Sequence, residues 1–285
     1  MAGHARESGV RSLQLALDVL ETVAFSGEEL GVTQIADRVH VTKGSVHRHL
    51  LTLVERGYLT QNPATARYAI GPKSRLLARL APDADLVGTA EGSMRQLRDA
   101  LGHTVVLSAM TPAGALVMST IASKSPIEIG VRPGSELSFH ASAQGKVLLA
   151  FAPRPVQERV LAKPLPALTA KTVVDRESLD DELSQIMKRG YAAASEQALL
   201  GINAIAAPIF NQTDACVASV AIVGSIQFLP EVADPDTVGA LKRCGAEISR
   251  KLGYGRGETG ALMPAYRPLP RKLARPRSFA PGRRP

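Results

Sequence analysis

The sequence contains no tryptophan, and aromatic residues make up only 4% of it. Because hydrophobic residues still account for 45% of the chain, its cores must be packed mainly from aliphatic side chains. Cysteine is equally scarce. Cys216 and Cys244 lie too far apart in the sequence to form a metal-ligand motif, so we expect two reduced thiols and no metal site.

Long apolar segments are also missing. The N-terminus has no apolar leader, and no run of about 18 apolar residues occurs anywhere in the chain. These absences predict a cytoplasmic protein that makes no contact with a membrane. The length of 285 residues fits two domains of roughly 100–200 residues each.

The net charge of +8 is concentrated at the C-terminus. Residues 259–285 contain seven Lys or Arg and no acidic residue, whereas residues 1–75 contain nine basic and seven acidic residues. The composition of residues 255–285, rich in Gly, Pro and Arg, predicts a disordered basic tail. This tail either binds DNA non-specifically, with a strong dependence on salt, or remains solvated.

Three helices followed by a hairpin are predicted for residues 1–71. The inward side of the first helix is expected to carry Leu13, Leu17 and Leu20, with Ala16 and Val23 beside them. Thr33 is a candidate N-cap for the second helix, and the third helix opens around Thr42 and stops at Gly57. A turn beginning at Asn62 joins two short strands. This order of elements is typical of a winged helix-turn-helix domain.

The rest of the chain divides into a linker and a second domain. Residues 72–85 read as a linker helix region that ends in a break, and residues 86–254 alternate between helical and strand patterns. Hairpins interspersed with helices predict an α+β domain with a mainly antiparallel sheet.

The third helix combines an apolar stripe with hydrogen-bonding and cationic side chains. Arg48 lies nearly opposite the stripe of Val46, Leu50, Leu53 and Val54, while Leu51 falls outside it. This arrangement suits a helix in a DNA major groove, with Arg48 and Ser45 reading bases and Lys43 and Arg67 contacting phosphate. The predicted DNA-binding residues are Thr33, Thr42, Lys43, Gly44, Ser45, His47, Arg48, Thr52 and Arg67. The alternative is an ordinary solvated helix face.

Four stretches resemble the IclR family of bacterial transcriptional regulators. LQLALDVLETVA resembles its first helix, and GVTQIADRVHVTKGSVHRHLLTLVERGYLTQNPATARYAIGPK resembles its helix-turn-helix and wing. FHASAQGKVLLAF and GINAIAAPIFNQTDACVASVAIVG resemble its effector domain. The resemblance implies a winged helix-turn-helix, a linker helix and a GAF-like effector-binding and oligomerisation domain. It also implies a homodimer or homotetramer on double-stranded operator DNA, controlled by a small-molecule effector.

The resemblance also implies an effector pocket on one face of the second-domain sheet. The implied positions are Ala143, Gln144, Gly145, Ala194, Gln197, Ala204, Ala221 and Val223. Acid-binding members use an Asp, a Cys and two Ser, and these positions are Ala194, Ala204, Ala221 and Val223 in this chain. Because burying an underpaired carboxylate is costly, we expect a more apolar effector, with polarity drawn from Gln144, Glu196, Gln197 and Asn203. A vestigial pocket is the alternative.

Other motifs point elsewhere but less specifically. Residues 255–260 match GxGxxG but follow a helix, which a dinucleotide site does not, and nothing else indicates a cofactor. His140, Ser142 and Lys146 suggest a small hydrolase or transferase, the alternative function. Without an evident acidic partner we favour a regulator that is not an enzyme, with Ser142 as a helix N-cap and Lys146 as a surface or dimer-contact residue.

Overall fold

The computed structural model describes residues 9–80, 85–125 and 129–255. Three helices and a two-stranded antiparallel sheet form its N-terminal part. They are α1 (Arg11–Ala24), α2 (Val32–Val39), α3 (Lys43–Glu55), β1 (Leu59–Gln61) and β2 (Tyr68–Ile70). The predicted winged helix-turn-helix is confirmed in its order of elements.

The core of this part is aliphatic apart from one tyrosine. It contains Val19, Val23, Leu30, Ile35, Ala36, Val46, Leu50, Leu53, Leu59 and Tyr68. Leu30 forms an isolated bridge to Tyr68, which joins the α1–α2 connection to the wing hairpin. The three helices and the hairpin therefore share a single core.

Two local expectations were wrong. Leu13 and Leu17 are 58% and 46% exposed, and α1 instead buries Val19 and Val23. The helix carries two apolar stripes, and periodicity alone does not decide which one packs inward. The N-cap of α2 is Gly31 and not Thr33. Gln34 Oε1 accepts a hydrogen bond from the Gly31 N–H at 3.0 Å, which completes the cap from the other side.

The linker region begins with α4 (Pro72–Leu80), which has no buried residue. Residues 81–84 lie outside the described part. The next helix, α5 (Leu86–Leu101), belongs to the second domain, where it packs against strands β3 and β4.

A six-stranded sheet forms the centre of the second domain. Its strands are β3 (Thr104–Met110), β4 (Ala115–Ile121), β5 (Glu136–Leu137), β6 (Ala192–Ala193), β7 (Ile202–Phe210) and β8 (Cys216–Ser225). They are ordered β5-β4-β3-β8-β7-β6, and every neighbouring pair is antiparallel. Four further helices are α6 (Ala143–Ala150), α7 (Arg154–Leu161), α8 (Arg176–Arg189) and α9 (Pro235–Lys251). The predicted α+β class with an antiparallel, GAF-like sheet is confirmed.

Strand alternation gives this sheet two different faces. Val105, Leu107, Val220 and Ile222 point towards α5 and α9. Their neighbours point to the opposite side, where α6 lies on β7 and β8 and packs against α8. We call this second side the α6 face; it carries Val106, Ser108, Ser219, Ala221 and Val223. Every effector position on β7 and β8 lies on it.

Some sequence predictions fall outside the described residues. These are most of the basic tail and all of the GxGxxG stretch except Gly255. Among the helices of residues 9–80, 85–125 and 129–255, none has the length and apolarity needed to cross a membrane.

Candidate DNA-binding surface and effector pocket

The third helix is anchored from both ends of its sequence. Thr42 is the N-cap, and its hydroxyl oxygen accepts a hydrogen bond from the Ser45 N–H at 3.4 Å. Val46 and Leu50 are fully buried against α1 and α2. Gly57, at a φ of 78°, takes the left-handed conformation just beyond the helix. The orientation of α3 is therefore fixed by its capping residue and its buried stripe.

The opposite side of α3 faces solvent. Lys43, Gly44, His47, Arg48 and Thr52 are exposed, and Ser45 is half-buried. The side chains of Lys43 and Arg48 form no ion pair or hydrogen bond with any described residue. Both cations are thus available to an external anion or hydrogen-bond acceptor.

The wing is tied to the N-terminal core through one acidic residue. The Asn62 side-chain amide donates to the Glu29 carboxylate at 3.1 Å, and the Thr65 hydroxyl donates to it at 3.3 Å. Arg67, an exposed residue, donates from Nη1 to the Glu29 carbonyl oxygen at 3.1 Å. Sequence reasoning missed Glu29, because the contact joins residues more than 30 positions apart.

The remaining predicted DNA contacts differ in how much of their hydrogen bonding is already used. Thr33 is exposed in the first turn of α2. Thr52 is exposed, but its hydroxyl donates to the Arg48 carbonyl oxygen at 3.2 Å. A major groove about 12 Å wide admits an α-helix, and an arginine can bond two acceptors of a guanine edge at once. The outward side of α3, centred on Arg48, has the shape and the donors for this contact.

The predicted effector positions converge beneath and beside α6. Ala143, Ala194 and Ala221 belong to the buried cluster between α6, α8 and the sheet. Val223 belongs to a second cluster with Val106 and Val117, and Ala204 packs against both clusters. The structure therefore brings these positions together along the seam between the two clusters.

Gly145 has a packing role of its own. A Cβ atom at this position would lie 2.4 Å from the Ser138 carbonyl oxygen and 2.7 Å from the Phe139 Cα. Ser142 caps α6, as predicted, since its hydroxyl oxygen accepts a hydrogen bond from the Gly145 N–H at 3.0 Å. Glycine is needed here so that the start of α6 can approach the preceding segment closely.

The expectation for Lys146 as a surface or dimer-contact residue was wrong, because its side chain is fully buried. Its Nζ donates to both carboxylate oxygens of Glu182 at 2.7 Å and to Gln197 Oε1 at 2.6 Å. Burial lowers the pKa of the Lys146 amine, and the neighbouring Glu182 carboxylate opposes that shift. The three donors of the ammonium group have three acceptors, which is what burial of this charge requires.

Most of the polar groups expected to serve an effector are engaged elsewhere. Gln197 accepts from Lys146, and the Glu196 carboxylate bonds Lys171 and the Gly201 N–H. The Asn203 amide donates to the Leu229 and Pro230 carbonyl oxygens, on the opposite side of the sheet from Ala204. The pKa of Glu196 is lowered, chiefly by its hydrogen bond from Lys171.

Gln144 is the exception among these groups. It is 2% exposed, and no described residue hydrogen-bonds its side chain. Of the polar residues considered from the sequence, it alone is both buried beside the seam and unengaged among the described residues.

A cleft of about 680 Å³ opens at one end of the sheet. It is lined by His103, Thr104, Ile129, Val223, Gln227 and Phe228, among others. Of the eight predicted effector positions, Val223 lines this cleft and the other seven do not. Burial lowers the pKa of the His103 imidazole. Sequence reasoning missed the cleft, because its walls come from strand ends and a loop that share no motif.

The residues that suggested an enzyme do not form a catalytic arrangement. The Ser142 hydroxyl donates to the Ser138 carbonyl oxygen, His140 Nε2 bonds the Pro166 carbonyl oxygen at 2.9 Å, and Lys146 is held by Glu182. Each group has a separate partner, so no base is oriented towards a nucleophile. No cluster of three potential metal ligands occurs among the described residues.

Comparison with known proteins matches both parts of the chain to one family. Residues 12–63 match the IclR helix-turn-helix domain, and residues 79–250 match the bacterial transcriptional regulator IclR C-terminal domain. The chain belongs to the IclR family of bacterial transcriptional regulators. It is a sequence-specific DNA-binding regulator that responds to a small-molecule effector, as the sequence predicted.

Individual IclR relatives match over nearly their whole lengths. The transcriptional regulator BhcR of Paracoccus denitrificans is 30% identical over 255 residues, which cover 89% of this chain and 90% of that protein. The glycerol operon regulatory protein of Streptomyces coelicolor is 30% identical over 250 residues, covering 87% and 98%. The crystal structure of an IclR homolog from Microbacterium hydrocarbonoxydans, complexed with 4-hydroxybenzoate, superposes with a TM-score of 0.70 at 25% identity, covering 85% and 98%.

Proposed function

We propose that this regulator reads its operator through the outward side of α3, with Arg48 and Ser45 at base edges and Lys43 and Arg67 chiefly on phosphates. The observation that carries the proposal is the position of Arg48, which is exposed, lies opposite the buried stripe and has no partner among the described residues. Contacts to the backbone and the groove walls come from Thr33, Thr42, Gly44, His47 and Thr52.

The effector is proposed to be more apolar than a simple carboxylic acid. The seam between the two clusters is bordered by Ala143, Ala194, Ala204, Ala221 and Val223, none of which can bond a carboxylate through its side chain. The buried Lys146 beside Gly145 is already neutralised by Glu182. A small carboxylate would therefore lack a side-chain counter-charge in this pocket.

Self-association as a homodimer or homotetramer is part of the proposal. Exposed leucines in the N-terminal part lie on two helices, Leu13 and Leu17 on α1 and Leu76, Leu77 and Leu80 on α4. None of the residues of α4 is buried. An exposed helix with several leucines is typical of a segment that packs against another chain. An effector would then act by changing which arrangements of the DNA-binding domains within the oligomer are populated. This would change the spacing between half-sites that the oligomer can bind.

The proposed division of labour follows the chain. Residues 1–71 bind DNA, residues 72–85 connect the two domains, and residues 86–254 bind the effector and oligomerise. The protein catalyses no reaction. It acts in the cytoplasm, where its operator DNA lies. The basic tail, residues 255–285, either adds a salt-dependent, non-specific affinity for DNA or remains solvated. If the tail binds DNA, deleting residues 259–285 should reduce the slope of log affinity against log salt, and an unchanged slope would remove this role.

A gel-shift experiment tests the proposed function as a whole. The full chain is titrated against DNA from upstream of its own gene, first alone and then with a library of small molecules. We expect a specific complex, whose affinity changes with one apolar or weakly polar compound and not with pyruvate-like acids. Calorimetry with the same compounds measures binding directly. Tight binding of small acids with no response to larger apolar compounds would overturn the effector class.

A further inference from the structure

Two serine hydroxyls face each other across the centre of the α6 face. Ser108 on β3 pairs directly with Ser219 on β8 in the antiparallel register. Both residues are fully buried, and neither Oγ atom has a hydrogen-bond partner among the residues that the structure describes. Directly opposed antiparallel residues have Cβ atoms about 4.5–5.5 Å apart, so one ligand group can reach both hydroxyls.

Leaving these hydroxyls unbonded destabilises the fold. A buried hydroxyl without a partner loses its hydrogen bonds to water and gains nothing in exchange. The buried Ser249, in contrast, is fully bonded: its hydroxyl donates to the Gly245 carbonyl oxygen at 2.7 Å and accepts from the Phe210 N–H at 2.9 Å. The buried Ser195 hydroxyl also lacks a partner, but no second serine lies opposite it in the sheet register. The Ser108–Ser219 pair therefore differs from the ordinary buried serine in this protein.

The surroundings of the pair coincide with the predicted pocket. Along β8, Ser219 precedes Ala221 and Val223 on the same face, and Ser108 lies between Val106 and Met110 on β3. Val106 belongs to the cluster on one side of the seam, and Met110 packs against the α6 cluster on the other. The open cleft reaches the same face at the paired residues Thr104 and Val223. The middle of the seam therefore lies between the cleft at one end and the serine pair at the other.

The charged groups near the seam are already compensated. Lys146 is bound by Glu182 and Gln197, and the His140 ring is bonded to the Pro166 carbonyl oxygen. The amide of Gln144 adds a neutral donor and acceptor. On the α6 face beside the seam, the polar side chains left for a ligand are therefore two hydroxyls and one amide.

We propose that Ser108 and Ser219 are the hydrogen-bonding anchor of the effector site, and that the effector is a small uncharged molecule with an apolar body and one hydroxyl or carbonyl group. This inference rests on the proposed function and specifies the ligand of that site. A hydroxyl pair can donate to a carbonyl oxygen or exchange hydrogen bonds with a hydroxyl, but it supplies no positive charge for a carboxylate.

The melting temperature of the ligand-free protein tests the anchor without knowledge of the effector. Ser108→Ala and Ser219→Ala each remove an unpartnered hydroxyl, so each should raise the melting temperature by about 2 °C. Ser249→Ala, the matched control, removes a fully bonded buried hydroxyl and should lower it. If the first two variants melt as low as the control, the hydroxyls are bonded structural groups and the proposal fails.

Ligand binding tests the chemical class. The probes are 4-hydroxybenzamide and 4-hydroxybenzoate, which are nearly isosteric but differ in charge at pH 7.5. We expect calorimetry to show that the wild type binds the amide and that the Ser108→Ala/Ser219→Ala double variant binds it at least about tenfold more weakly. Tighter binding of the benzoate, equal binding of the amide by the double variant, or no binding of the amide by the wild type would each overturn the ligand class.

Operator binding separates this inference from the proposed function. Both serines lie in the second domain, so the double variant should bind operator DNA with wild-type affinity in the absence of probe. A wild-type chain that binds no operator contradicts the proposed function, whereas the melting temperatures and the calorimetry still decide the role of the serine pair.

Discussion

The Lys146 Nζ lies 2.7 Å from both carboxylate oxygens of Glu182, and this ion pair joins α6 to α8 beside the predicted effector positions. Lys146 is fully buried, while the Glu182 side chain is 20% exposed. The third donor of the ammonium group goes to Gln197 on the segment between β6 and β7. One buried cation thus fixes three separate pieces of the second domain.

Replacing Lys146 by methionine should destabilise the protein by about 3 kcal/mol, because Glu182 would keep a mostly buried charge without its partner. The free energy of unfolding, measured by urea titration, checks this. Lys188→Met, on the exposed side of α8, is the control and should change stability by less than about 0.5 kcal/mol. Equal stability of the Lys146 and Lys188 variants would show that the buried pair contributes nothing.

Gly44 offers a way to separate folding from DNA binding. Apart from its own helical turn, a Cβ atom at Gly44 would meet no atom of a described residue within 4 Å, so Gly44→Ala should stabilise α3 by about 0.5–1 kcal/mol. If the backbone of Gly44 approaches the DNA closely, the same change should weaken operator binding about tenfold, or 1.4 kcal/mol. Gly92→Ala, at an exposed and equally open position of α5, is the matched control. The Gly92→Ala change should stabilise the fold without changing the affinity for operator DNA. If Gly44→Ala likewise leaves that affinity unchanged, the backbone of Gly44 does not approach the DNA closely.

Much of the DNA-binding domain could be predicted from its sequence because its determinants are local. The buried stripe of α3 follows the helical period, its start is set by Thr42 and its end by Gly57. Exposure of Arg48 follows from the same period. Where two stripes compete, as in α1, the outcome depends on packing against α2 and α3, and the choice of Leu13 and Leu17 was wrong.

Long-range contacts in the second domain could not be predicted. Burial of Lys146 depends on Glu182, which lies 36 positions away, and the pairing of Ser108 with Ser219 depends on strand register. The wing contact between Asn62 and Glu29 is of the same kind. No local sequence pattern identifies residue pairs that lie this far apart in the chain. Once Lys146 is known to be buried near the start of α6, however, an acidic partner elsewhere in the fold is required.

Acid should remove a specific contribution at the start of α9. The Asp234 carboxylate accepts hydrogen bonds from the Thr237 hydroxyl and from the Thr237 and Asp236 N–H groups, and these lower its pKa, the hydroxyl most strongly. A carboxyl group with a lowered pKa in the folded state stabilises the protein above its unfolded pKa of about 3.9, and this contribution is lost as the pH falls through the folded value.

The variant Asp234→Asn should therefore be less stable than wild type at pH 7, and the difference should shrink below about pH 4. The midpoints of urea unfolding at pH 7 and at about pH 2.5 measure this difference in stability. Asp236→Asn is the control, because the Asp236 carboxylate accepts no hydrogen bond from any described residue. A difference for Asp234→Asn that is the same at pH 7 and at about pH 2.5, well below the unfolded pKa, would contradict the assignment.

The two cysteines should be unreactive in the folded protein. Cys244 is buried and Cys216 half-buried; both are free thiols, and desolvation by the surrounding protein is the main cause that raises the pKa of each to about 12. At pH 8 their thiolate fraction is then about a thousandfold below that of an ordinary cysteine. Labelling with a chromogenic disulfide reagent should be slow in buffer and rapid in guanidinium chloride. Fast labelling of either thiol in buffer would show that it is accessible and ionised.

The central claim is tested most directly by the affinity of the full-length Arg48→Ala variant for operator DNA, compared with wild type. The operator is first selected from a random DNA pool with the wild-type protein. We expect a loss of about 1–3 kcal/mol and a relaxed base preference at one position of each half-site, while Arg159→Ala, which removes an exposed cation from α7, leaves both unchanged. An Arg48→Ala variant with wild-type affinity and an unaltered base preference would contradict the assignment of the outward side of α3 as the DNA-reading surface.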